Sequence, residues 1–74
     1  MSVYTAATEV LKPLVGPAVT EICLRSSAMK LGKPAEEFSS FDVDALATEI
    51  RASMRPFASD SLLEAAITEI RVRA

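Results

Sequence analysis

Leu46-Ala47-Thr48-Glu49-Ile50 decides how this chain is read, because the same order returns three more times: Ala6-Ala7-Thr8-Glu9-Val10, Ala18-Val19-Thr20-Glu21-Ile22 and Ala66-Ile67-Thr68-Glu69-Ile70. In a helix the first apolar residue of each unit lies four positions before the last, so both fall on one face while Thr and Glu point elsewhere. Four such units predict four amphipathic helices. The fold class expected is all-α, a compact bundle or orthogonal array of four helices in one domain spanning residues 1–74. The units are unevenly spaced, so they mark similar helices and not the fixed period of a stacked repeat.

Working outward from these units, helix boundaries follow from local chemistry. Ser2 is placed to cap a first helix whose apolar positions Val3, Ala6, Ala7, Val10, Leu11 and Leu14 recur at helical spacing. Pro13 lacks the N–H that would bond the carbonyl of Glu9, which predicts an end near Lys12 or a kink. Gly16-Pro17 starts a second helix, with Gly16 as cap and Pro17 at the first helical position. Gly32 closes it. Within it, Val19, Ile22, Ser26 and Met29 form one stripe and Leu24, Ala28 and Leu31 a second on another side, the mark of a helix that is central in its bundle or meets a second chain. Lys33 to Glu37 reads as a turn or a single helical turn. Ser39 with Asp42 makes an approximate capping box, and Phe38 is placed to staple onto Val43. The third helix carries Val43, Leu46, Ala47, Ile50, Met54 and Phe57 on one face and stops at Pro56. The fourth follows Ser59-Asp60-Ser61, with Ser61 and Glu64 as a second capping box, and points Leu63, Ala66, Ile67 and Ile70 inward.

Composition bounds what such a fold can do. At 74 residues, with 50% apolar residues but no Trp, one Tyr and three Phe, the core is built from small side chains. A domain this small gains from any further apolar surface it covers, and a second chain is a ready source. Ten acidic and eight basic residues, interspersed, neither steer the chain to phosphates nor form an acidic tail. Arg51, Arg55, Arg71 and Arg73 gather near helix ends, where they complement the helix dipole. The absence of His and the single Cys23 remove the usual general base, the usual transition-metal ligand and any disulfide within one chain. The N-terminal segment has no charged region followed by an apolar run, and no stretch reaches bilayer length. A soluble, cytoplasmic protein without cofactor or metal is expected.

Two short resemblances bear on function. Asp60-Ser61-Leu62, preceded by Ala58 and Ser59, resembles the attachment motif of acyl carrier proteins, which implies phosphopantetheine on Ser61. In carriers that motif lies mid-chain with two further helices after it, an arrangement that the short segment beyond Leu62 lacks. The run Leu14-Val15-Gly16-Pro17-Ala18-Val19, continued to Ala28, with Leu31-Gly32-Lys33 and the Ser39-to-Arg51 helix start, resembles small all-α modules at the ends of bacterial signalling and regulatory proteins. That resemblance implies a regulatory or assembly module and no catalytic residue.

Other chemistry is sparse. Cys23 lies inside a helix without a neighbour that lowers thiol pKa, Glu36-Glu37 and the Asp42/Asp44 pair flank helix starts where negative charge is stabilising anyway, and Gly16-Pro17 lacks the Lys-Ser/Thr of a phosphate loop. Six apolar residues have no evident partner within four short helices: Tyr4, Leu24, Ala28, Leu31, Phe41 and Leu62. They are the expected interface, toward a homodimer partner or a larger regulatory protein, with no nucleic acid and no membrane involved.

Overall fold

The computed structural model describes residues Ser2–Ala74. Three helices hold it together: α1 (Val3–Leu31), α2 (Val43–Met54) and α3 (Asp60–Arg73), with single 3-10 turns at Ala35–Glu37 and Ser40–Asp42. The described residues contain no strand, and the fold is all-α. Four separate helices were expected; the first two are instead limbs of α1, joined across one residue, Gly16, whose backbone leaves the helical region at φ 87°, ψ 163°. A straight helix of this length would reach about 43 Å, yet the longest dimension of the molecule is 27 Å. The limbs must therefore turn sharply at Gly16.

The position of the break corrects the reading of Pro13. Pro13 lies within α1, among residues that keep helical dihedrals, and its ring sits on the exposed side. One lost amide bond on a solvated face is tolerable. Positive φ combined with ψ near 160° is open almost only to glycine, so the chain breaks at Gly16 instead. Pro17 follows as the first residue of the second limb, where its absent N–H leaves no gap. No atom lies within 4 Å of where a Cβ would stand on Gly16, so a substitution there meets backbone strain without a clash.

Caps fix the remaining ends. The Ser2 hydroxyl accepts from the Thr5 amide at 3.1 Å. Gly32 ends α1 in the left-handed conformation, and its amide and that of Lys33 both donate to the Ala28 carbonyl. Asp42 accepts from the Ser39 amide at 2.8 Å and its hydroxyl at 3.2 Å, locking the turn before α2. The cap of α3 is Ser59, which accepts from the Leu62 amide, so Ser61 lies in the first turn and not at the cap. Glu64 turns away to Arg51, which removes the expected Ser61–Glu64 box.

α1 packs against both α2 and α3, which also pack on each other. Val3, Ala6, Ala7 and Leu11 from the first limb, Cys23 and Leu24 from the second, Val43, Leu46, Ala47, Ile50 and Met54 from α2, and Leu63, Ala66, Ile67 and Ile70 from α3 form one buried cluster, closed at one end by Ala35 and Phe38. Phe38 and Val43 share that cluster, as a staple requires. Phe57 does not: α2 stops at Met54, and Phe57 lies in the following turn, 56% exposed. No buried side-chain nitrogen or oxygen among the described residues lacks a hydrogen-bond partner.

Gly16→Ala should destabilise the fold by about 1–3 kcal/mol, the range for a residue forced into a sparsely allowed backbone region. A synthetic chain with D-alanine there, for which positive φ is natural, should unfold close to wild type. Urea denaturation followed by circular dichroism separates the two; equal midpoints for L- and D-alanine would contradict a strained left-handed break.

Candidate functional site

The four Thr-Glu units give the clearest view of which surface is left over. In α2 and α3 the apolar pairs Leu46/Ile50 and Ala66/Ile70 are buried, and in the first limb of α1 Ala6 is buried with Val10 half-buried against the core. The unit in the second limb is turned around. Ala18 is exposed and Ile22 is 66% exposed, while Thr20 from the same unit is fully buried. Met29, two turns beyond Ile22 on the same side, is 85% exposed.

The side of this limb that faces the core is Thr20, Cys23, Leu24 and Ser27, with Val19, Ala28 and Leu31 packed around its margin. Leu24, Ala28 and Leu31, expected to face a partner, thus lie against the chain's own core, and Ile22, Ser26 and Met29 of the other stripe are left outside. Bonds made by the hydroxyls make this orientation tolerable. Thr20 Oγ1 donates to the Gly16 carbonyl at 2.8 Å and Ser27 Oγ donates to the Cys23 carbonyl at 2.8 Å, each one turn back along the helix. A hydroxyl satisfied by its own helix can enter a core without an unpaired donor. Two formally polar residues thereby occupy interior positions, and two large apolar ones are left outside.

The six residues expected to meet a partner are accordingly divided. Leu24 is 1% exposed, and Tyr4, Ala28 and Leu31 are partly buried against the chain's own cluster. Phe41, 94% exposed in the turn before α2, and Leu62, 49% exposed at the start of α3, stand in solvent. The exposed ridge of α1, Ala18, Ile22, Ser26 and Met29, was missed as a surface. No residue pattern in the sequence marks it: Thr8 and Thr48 in the sister units bond the carbonyl four residues back in the same way, and neither is buried.

Charge around the ridge is arranged in pairs. Glu21 and Arg25 run along one edge, bonded at 2.7 Å. This contact keeps the Arg25 guanidinium above its ordinary pKa. Toward the other edge Lys30 reaches Glu49 on α2 at 3.0 Å, and Lys33 reaches Asp42 at 2.8 Å. The remaining arginines also have partners: Arg51 forks onto Glu64 at 2.6 and 3.0 Å, Arg71 meets Asp44 at 2.6 Å, Arg73 bridges Glu9 and Glu69, and Arg55 lies 3.9 Å from Asp60. All four Glu residues of the Thr-Glu units are thus in ion pairs. The arginines tie elements together and do not form a bare cationic patch.

Groups with reactive side chains are quiet. The Cys23 thiol is buried, and that burial pushes its pKa up despite hydrogen bonds with Ser27 and Ser53, so it stays protonated. The cleft between α2 and α3, lined by Val43, Leu46, Ala47, Ile50, Ile67 and Ile70, is apolar and too tight to admit a water molecule. Among the described residues no cluster of three or more His, Cys, Asp or Glu is placed to hold a metal ion, and no helix is long and apolar enough to cross a membrane. Ser61 is exposed in the first turn of α3. The chain matches no protein-family model, no curated protein and no solved structure.

Asp42 gives the electrostatics a pH signature. Its bond from Lys33, then those from Ser39, hold its carboxyl below the usual range, and the fork from Arg51 does the same for Glu64. A carboxylate with a lower pKa in the folded state stabilises fully above its unfolded pKa, and that contribution is lost as pH falls through the folded value. Asp42→Asn and Glu64→Gln should therefore each lose less stability than wild type on acidification below about pH 4. Urea melts at stepped pH provide the check; parallel profiles for wild type and both variants would contradict it.

Proposed function

We propose that this chain is a protein-interaction module of a regulatory or assembly kind, which acts through the exposed ridge of the second limb of α1 and carries out no chemistry of its own. One observation carries the reading. A sequence unit that elsewhere in the same chain sends its apolar pair into the core presents Ala18 and Ile22 to solvent here, in line with Met29. Isolated exposed apolar residues are ordinary, but an aligned ridge of them on a rigid helix is the form in which helices dock on partners. The partner is a second copy or a larger regulatory protein, in the cytoplasm.

A photoreactive residue installed at position 29, with a second chain labelled at exposed Thr68 as the control, tests this in the native host. A defined protein adduct, identified by mass spectrometry, is expected from position 29 only, and Ile22→Glu in the same chain should abolish it. Equal labelling from both positions, or an adduct indifferent to Ile22→Glu, would contradict the reading.

A second reading, a carrier modified on Ser61, draws on the exposure of that serine at the start of α3. A phosphopantetheine adduct in the intact mass of protein made in its native host, lost in Ser61→Ala, is the expected outcome on that reading; an unmodified mass removes it.

A further inference from the structure

Along the exposed side of the second limb of α1 small and large residues alternate, Ala18, Ile22, Ser26, Met29, and one edge of this ridge is lined by an acid and a base, Glu21 and Arg25. We infer that the ridge is the contact between two copies of the chain, lying antiparallel about a two-fold axis that crosses the helix at the level of Cys23 and Leu24. The inference rests on the reading of this ridge as an interaction face and names its occupant.

The ridge is complementary to itself in that one orientation. A two-fold axis perpendicular to both helices brings like edges together and reverses chain direction, so residues equally far from the axis on opposite sides come face to face. Ile22 then falls opposite Ser26 of the second copy and Met29 opposite its Ala18, each large side chain over a small one, as interdigitated packing requires. On the flanking edge Glu21 falls opposite Arg25 of the second copy, and Arg25 opposite its Glu21. A parallel pairing about a two-fold along the helices would instead bring opposite edges together, so that the Glu21 and Arg25 edge met the Lys30 edge of the second copy and the reciprocal acid–base match was lost. The opposite edge does not interfere, because Lys30 is drawn onto Glu49 and Lys33 onto Asp42 within each copy.

Size sets the strength. One helix face, about 22 Å long for the fifteen or so residues of the limb, lies at the low end of specific interfaces, below roughly 1,200 Å² in total. The dimer is therefore weak and concentration-dependent, suited to exchange with other partners and not to permanent assembly.

Sedimentation velocity on the full chain, from low micromolar to millimolar concentration, tests this. Wild type should pass from monomer to dimer. Ile22→Glu and Met29→Glu should each weaken dimerisation by more than about tenfold, since a carboxylate would be buried without a partner, with unchanged helical circular dichroism because both positions are exposed in the monomer. Glu21→Arg and Arg25→Glu should each be monomeric alone, and an equimolar mixture of the two should dimerise, because both cross-copy pairs become attractive again while the pair within each copy stays broken. A monomer at every concentration, a dimer that survives both Ile22→Glu and Met29→Glu, or a charge-variant mixture that stays monomeric would overturn the inference. A monomeric chain that still cross-links to a different protein through position 29 would remove the second copy while leaving the interaction face in place.

Discussion

The backbone of Gly16 is the constraint on which the rest of the molecule depends. A single residue at positive φ in a conformation that side chains disfavour turns what would otherwise be a rod longer than the whole domain into two limbs that share one core. Beyond the turn the second limb has a definite rotation about its own axis. That rotation places Thr20, Cys23, Leu24 and Ser27 inside and leaves Ala18, Ile22 and Met29 outside.

Much of this was legible in the sequence, because the helix boundaries and the core faces of three of the four helical segments follow from strong local rules. Ser2, Gly32 and the Ser39–Asp42 turn behave as their chemistry dictates, and the faces of α2 and α3 and the first limb of α1 follow helical periodicity closely. The failures share a cause. Pro13 was given too much weight because a missing amide bond matters less on a wet face than backbone strain does, and Gly16 was the residue able to adopt the break. Hydropathy does not tell the stripe of Ile22 and Met29 from that of Leu24, Ala28 and Leu31, and it ranks all of these above Thr20 and Ser27. The hydrogen bond from each hydroxyl to its own helix erases that ranking. Ser61 lost its capping role because Ser59, two residues earlier, reaches the Leu62 amide first and Glu64 has a stronger partner in Arg51.

The ion pairs supply a second layer of organisation. Individually exposed pairs contribute little, yet here they link elements in a consistent way: α1 to α2 through Lys30 and Glu49, α2 to α3 through Arg51 and Glu64 and through Asp44 and Arg71, α1 to α3 through Glu9 and Arg73. Cross-element pairs of this kind select one arrangement of three small helices over others with similar apolar burial. They also hold most of the chain's charges, and the ridge of α1 is flanked by Glu21 and Arg25, bonded to each other, and by Lys30, bonded to Glu49. A small core built mostly of Ala, Val, Ile and Leu, most charges held in internal pairs and one exposed apolar strip are what the three helices present.

The central claim is that the second limb is turned so that its hydroxyls face the core and its largest apolar side chains face water. Attenuation of methyl NMR signals by a soluble paramagnetic probe, on protein dilute enough to be monomeric, tests it most directly. The account expects the methyls of Ile22 and Met29 to be strongly attenuated and those of Thr20 and Leu24 to be protected. Protected Ile22 and Met29 with attenuated Thr20 and Leu24 would contradict it.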